Sequence, residues 1–88
     1  MIFNIDELKK KITYRSSYRG TKEMDALISS FTKQIINDLN CEELINLSNL
    51  LDIDDENLYK FNQSLSTTVN IGENRVSKLF KEFRYNKE

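Results

Sequence analysis

An 88-residue chain with 39% apolar residues, 31% charged residues and no proline is too hydrophobic to be disordered, leans towards helix, and is of a length for one domain. A chain this short hides only about 60 to 65% of its unfolded surface, which leaves a thin core and little interior for an enclosed catalytic pocket. Its single cysteine, Cys41, excludes an internal disulfide, and the lack of histidine removes any plausible zinc site and the usual proton shuttle.

Asn4 followed three residues later by Glu7 has the pattern of a capping box, and Ile5, Leu8 and Ile12 recur at helical spacing. A first helix is expected over Asp6 to Tyr18. Gly20, one of only two glycines, lies where this apolar period stops and the next begins. It is either a left-handed residue closing the first helix or a gap without a side chain through which another chain can approach. Thr21 or Gly20 can cap a second helix, with Glu23 and Asp25 in the first turn, where exposed amides favour negative charge. Met24, Leu27, Ile28, Phe31, Ile35, Ile36 and Leu39 then form the clearest amphipathic stripe, that of a central helix.

Asn40 and Glu43 make a second capping-box pattern, opening a short helix with Leu44, Leu47, Leu50 and Leu51 inward. The acidic turn Asp52 to Glu56 supplies a cap for a fourth helix whose Leu58, Phe61 and Leu65 share a face. Ser64 to Ile71 reads as a loop, since Thr67, Thr68 and Val69 disfavour helix. Val76, Leu79, Phe80 and Phe83 mark a last helix that frays from Arg84. The expected fold is all-α, a compact bundle of about five short helices forming one domain over residues 1–88. Leu27, Ile28, Phe31, Ile35, Leu47, Leu50, Leu58, Val76, Leu79 and Phe80 are its expected core.

The net charge of −1 hides a segregation along the chain. Residues 1–25 hold six bases (Lys9, Lys10, Lys11, Arg15, Arg19 and Lys22) against four acids, and residues 38–56 hold seven acids and no base. Such polarity either steers a charged partner or marks solvated helix faces. Tyr14 and Tyr18, like Arg15 and Arg19, are four apart and project in register. A nucleic-acid surface would use such residues, but a sequence pI near 5.5 argues against a dominant basic face. The longest stretch without a charged side chain, Phe61 to Gly72, has 12 residues and falls short of the ~20 that span a bilayer. With no secretion or transit signal at Met1 to Glu7, a cytoplasmic address is expected.

Candidate chemistry is sparse. Cys41 stands beside Glu42 and Glu43, which raise a thiol pKa, although a helix start acts the other way. Neither a GxGxxG nor a GxxxxGK[ST] pattern occurs, so no nucleotide cradle of those kinds is expected. Asp54 and Asp55 lack the spaced oxygen ligands of a calcium loop and fit helix capping. No catalytic residue and no metal site are assigned, and the chain is not expected to be an enzyme.

Arg19-Gly20-Thr21-Lys22-Glu23 is an RGxxE motif followed by Met24 and Asp25, with Arg15 upstream. In these residues the chain resembles the succinate dehydrogenase flavinylation factors, small helical proteins with an RGxxE-x-D motif near the amino terminus, often preceded by an arginine at the Arg15 position. Asp52 to Phe61 looks like the second signature of that family, and the resemblance covers residues 8–62. Family members commonly carry proline where Glu56 stands and tryptophan where Phe61 stands.

The resemblance implies an assembly factor that binds the flavoprotein subunit of succinate dehydrogenase or fumarate reductase. It implies that the factor promotes covalent attachment of FAD to a histidine of that subunit as a conformational chaperone. It further implies that the FAD belongs to the client and that Arg15, Arg19, Gly20, Glu23 and Asp25 bind the partner; with no cradle and little interior, the chain is expected not to bind FAD independently, and the free factor is expected to be a monomer. On this reading Arg19→Ala, Gly20→Arg and Glu23→Ala all melt close to the parent yet fail to support covalent flavin attachment. The residues alone also allow an Arg19–Glu23 surface ion pair with no partner, a generic helical adaptor with an unrelated client, or a small nucleic-acid binder.

Overall fold

Five α-helices and one 3₁₀ turn account for the regular structure among residues 4–84, the part of the chain that the computed structural model describes. They are α1 (Ile5–Ser16), α2 (Lys22–Ile35), the 3₁₀ turn Ile36–Asp38, α3 (Cys41–Leu51), α4 (Asp55–Asn62) and α5 (Arg75–Glu82). Each α-helix starts on a side chain that accepts a hydrogen bond from an otherwise unpaired amide of the first turn: Asn4, Thr21, Asn40, Asp54 and Asn74. The Asn40–Glu43 box is complete, since Glu43 Oε1 accepts the Asn40 amide at 3.1 Å. At Asn4 only the forward bond forms, to the amide of Glu7.

Helix α1 ends at Ser16, two residues before the expected Tyr18. The Ser16 and Ser17 hydroxyls both donate to Thr13 O, at 2.8 and 3.1 Å, and the Ser17 amide bonds Tyr14 O in a tightened last turn. Adjacent serines thus offer the backbone an alternative to another helical turn. Helix α4 stops at Asn62 because the chain reverses there. Gln63 is the cap, Ser64 takes a left-handed φ of 61°, and the Ser64 and Leu65 amides bond Phe61 O and Lys60 O at 3.1 and 2.7 Å. This is a Schellman closure with serine at the position that favours glycine. Leu65 therefore does not share the inner face of Leu58 and Phe61; it lies outside the helix and is exposed.

The stripe on α2 does become the central face. Met24, Leu27, Ile28, Phe31 and Ile35 are buried, and the 3₁₀ turn rotates Ile36 inward, followed by Leu39. Helix α1 packs on α2 and α3, α3 also on α5, and α4 on α5. Phe31 joins α2 to the carboxy-terminal end through Phe80 and Phe83, with ring centroids 5.0 and 5.4 Å away. Nine of the ten expected core residues are buried; Leu79 is half-buried, beside the inward stripe that Val76 and Phe80 make on α5.

The loop between α4 and α5 is tied down by Asn57, which is buried and exchanges hydrogen bonds with the Thr68 amide and hydroxyl. Buried Asn62 donates to Phe80 O at 2.8 Å and Phe83 O at 2.9 Å, closing the end of α5. Among the described residues no helix is long and apolar enough to cross a membrane.

Candidate functional site: a corner clamped to an acidic turn

Residues 17–21 turn the chain from α1 into α2, and residues 52–54 turn it from α3 into α4. Arg19 fastens the first turn to the second. Its Nε donates to Asp55 Oδ1 at 2.7 Å, Nη1 to Leu51 O at 3.0 Å and Nη2 to Ile53 O at 3.0 Å; Nη2 also stands 2.7 Å from Asp55 Oδ1. The Arg19 side chain is 11% exposed and that of Asp55 29%.

Helix polarity favours this arrangement. Leu51 O is one of the carbonyls left unpaired at the end of α3, where a cation is stabilised, and Asp55 is the first residue of α4, where an anion is stabilised. The planar guanidinium spans both at once, which a lysine ammonium cannot do. Arg15 works one turn back, donating to Ser48 Oγ at 2.9 Å and pairing with Asp52.

The five residues singled out by the sequence are brought to one corner, but with different surroundings. Asp25 faces inward along the turn and accepts the Arg19 amide. Gly20 is exposed and its amide donates to Asp55 Oδ2 at 2.9 Å. It has no left-handed φ, so it is not a left-handed helix stop. A Cβ built on it would lie 3.0 Å from Asp55 Oδ2, so the close approach at this glycine is made by the chain's own carboxylate. Glu23 is exposed, and among the described residues no hydrogen bond or ion pair engages its carboxylate; the Arg19–Glu23 pair does not form, because Arg19 is held by Asp55.

Tyr14 and Tyr18, which project in register as their spacing implies, both lie at the rim. They are 66% and 70% exposed, with ring centroids 4.6 Å apart. Tyr14 borders a cleft of about 500 Å³ with Lys9, Lys10, Thr13, Ile36 and Asn37. A second cleft of about 300 Å³ runs between α3, the acidic turn and the start of α5, and four of its nine lining residues are asparagines.

Asp52 and Asp55, read on sequence only as part of an acidic turn, are the partners of the corner's two arginines. Asp54 does serve as the cap of α4, and the side-chain amide of Asn57, with its backbone N–H, holds the Asp54 carboxyl below the ordinary range. Asp55, grouped with it on sequence, points instead at the corner. The available signal was the pairing of a basic corner with an acidic turn. A family model described as flavinator of succinate dehydrogenase matches residues 10–84, a span containing both. No curated protein and no solved structure matches the chain.

Proposed function

Since the chain belongs to the flavinator of succinate dehydrogenase family, and so has a role in assembling that enzyme, we propose that it binds the flavoprotein subunit of succinate dehydrogenase, or of fumarate reductase, as a conformational chaperone. Docking favours one arrangement of the flavoprotein's domains and raises the population in which its histidine and flavin are aligned for covalent attachment. The chemistry belongs to the client, as does the FAD. The factor acts as a monomer, in the cytoplasm, without catalysis of its own.

The observation that carries this reading is the family match across the corner and the turn clamped to it. The corner's outer edge, where Glu23 and Tyr18 are exposed, forms the contact; a carboxylate without an internal partner is an acceptor for the client's donors. Arg15, Arg19 and Asp25 hold that edge from behind.

The test is co-expression of the flavoprotein subunit with and without the factor, scoring covalent flavin by in-gel fluorescence, together with pull-down from extract. Equal covalent flavin in both lanes refutes the proposal. Recovery of unrelated proteins supports a generic adaptor, and salt-sensitive recovery of RNA or DNA a nucleic-acid binder.

A further inference from the structure

Asp55 lies outside the RGxxE motif, yet its two oxygens meet both of the motif's first two residues. Oδ1 takes Arg19 Nε and Nη2, and Oδ2 takes the Gly20 amide. We propose that Asp55 is a positioning residue that sets the corner in its docking form, and that Arg19 and Gly20 serve docking through Asp55 and not by touching the flavoprotein. This rests on the reading that the corner docks on that subunit.

Three observations lead there. First, Arg19 is 11% exposed and all three of its side-chain nitrogens are engaged, so reaching a partner would mean giving up charge-assisted bonds already made. Second, the space a side chain at residue 20 would enter is bounded by Asp55 Oδ2 from inside the molecule, at 3.0 Å from an ideal Cβ. That carboxylate is pinned by Arg19 and cannot swing away freely. A side chain at residue 20 therefore needs that carboxylate to give by a few tenths of an ångström against the hold of Arg19, an internal constraint whatever lies outside. Third, the Arg19 amide bonds only the Asp25 side chain and the Gly20 amide only Asp55, so side chains, not a helical ladder, fix the corner's backbone. Loss of Asp55 frees those residues to take other conformations. If only a fraction of molecules hold the docking form, apparent affinity falls by that fraction while the saturated complex is unchanged.

The test is a double-mutant cycle of Gly20→Ala and Asp55→Ala, read as covalent flavinylation of the flavoprotein subunit of the same organism's succinate dehydrogenase against factor concentration. Circular dichroism confirms that each variant is folded at the assay temperature. Each single variant should raise the half-saturating concentration roughly tenfold, with the plateau unchanged, and the double variant should be no worse than either single, since contacting groups that act as a unit are non-additive. A tenfold loss from Gly20→Ala in both backgrounds would assign Gly20 to the partner contact and overturn the proposal. So would an unchanged half-saturation for folded Asp55→Ala, or a lost plateau. Should Asp55→Ala be unfolded, Asp55→Ser replaces it in the same cycle, keeping a polar helix start on a side chain too short to crowd residue 20. If the parent factor gives no flavinylation above the factor-free control, the reading of the function fails first and this proposal falls with it.

Discussion

Replacing Arg19 with alanine separates a clamp from a surface contact, because the sequence and the structure predict different melting behaviour. The substitution removes the ion pair with Asp55 and the bonds to Leu51 O and Ile53 O, and leaves those acceptors at the end of α3. Hydrogen bonds to charged groups contribute about 1.5–3 kcal/mol each when buried. Here Asp55 is 29% exposed and keeps the Gly20 amide, so water recovers part of the loss and a total of about 2–3 kcal/mol is the reasonable sum. For a domain of this size that is a fall in Tm of roughly 10–20 °C, against a total stability of about 4–13 kcal/mol. The variant folds at 25 °C but melts early, and Arg19→Lys lies between, lacking the planar fork. Glu23→Ala, with no internal partner to lose, should melt within about 3 °C of the parent. Thermal denaturation followed by circular dichroism measures all three. An Arg19→Ala variant melting within about 3 °C of the parent would refute the clamp.

Ser64→Gly should stabilise the protein by about 1 kcal/mol, since it relieves the left-handed serine in the closure of α4; a lower Tm would show that the serine hydroxyl matters more than its backbone. Asn62→Ala should destabilise by about 2 kcal/mol, because the buried amide donates to Phe80 O and Phe83 O, and a denaturant midpoint equal to the parent's would contradict that role. Acid should weaken the fold through Glu43 and Asp54. Glu43 is held below its ordinary pKa by the Arg75 guanidinium and then the Asn40 amide, and Asp54 by the Asn57 side chain and amide. Both carboxylates are depressed in the folded state, so their contribution is present above the ordinary values of 4.5 and 3.8 and is lost as pH falls below them. Melting curves at fixed ionic strength between pH 6 and about pH 3 should show a shallower decline for Glu43→Gln and Asp54→Asn than for the parent.

The helices were legible because local signals agreed with one another. Asn40 with Glu43 gave a helix start, and the 3, 1, 3, 4 stepping of Met24 to Ile35 gave the central face; both depend only on neighbours in sequence. The misplaced ends have local competitors that periodicity does not count. Serine hydroxyls at residues 16 and 17 stop α1, and a serine in left-handed conformation stops α4 before Leu65. The site was legible as a place and not as a mechanism. The RGxxE pattern located the corner, but pairing Arg19 with Asp55 requires contacts 36 residues apart in sequence, which no helical spacing encodes. Glu23, four residues from Arg19, was the partner that spacing could suggest.

The charge segregation along the chain is best understood from the same contacts. Of the five ion pairs among the described residues, two are helical neighbours, Lys11 with Glu7 and Lys60 with Glu56. The other three, Arg15 with Asp52, Arg19 with Asp55 and Arg75 with Glu43, each join a basic segment to the acidic stretch 38–56. The acidic stretch thus lies between α1 and α5 in charge as it does in packing, where α3 contacts both. Three of the seven acids of that stretch are thus matched by a base from another segment. Exposed pairs contribute little, about 0–1 kcal/mol, and Arg75–Glu43 and Arg15–Asp52 belong to that class by exposure of one partner. Arg19–Asp55 differs in being the least exposed and in joining two helix ends whose dipoles favour it. It is therefore the pair by which sequence polarity fixes a surface: it leaves Gly20 and Glu23 facing outward on a corner whose own arginine is already bound.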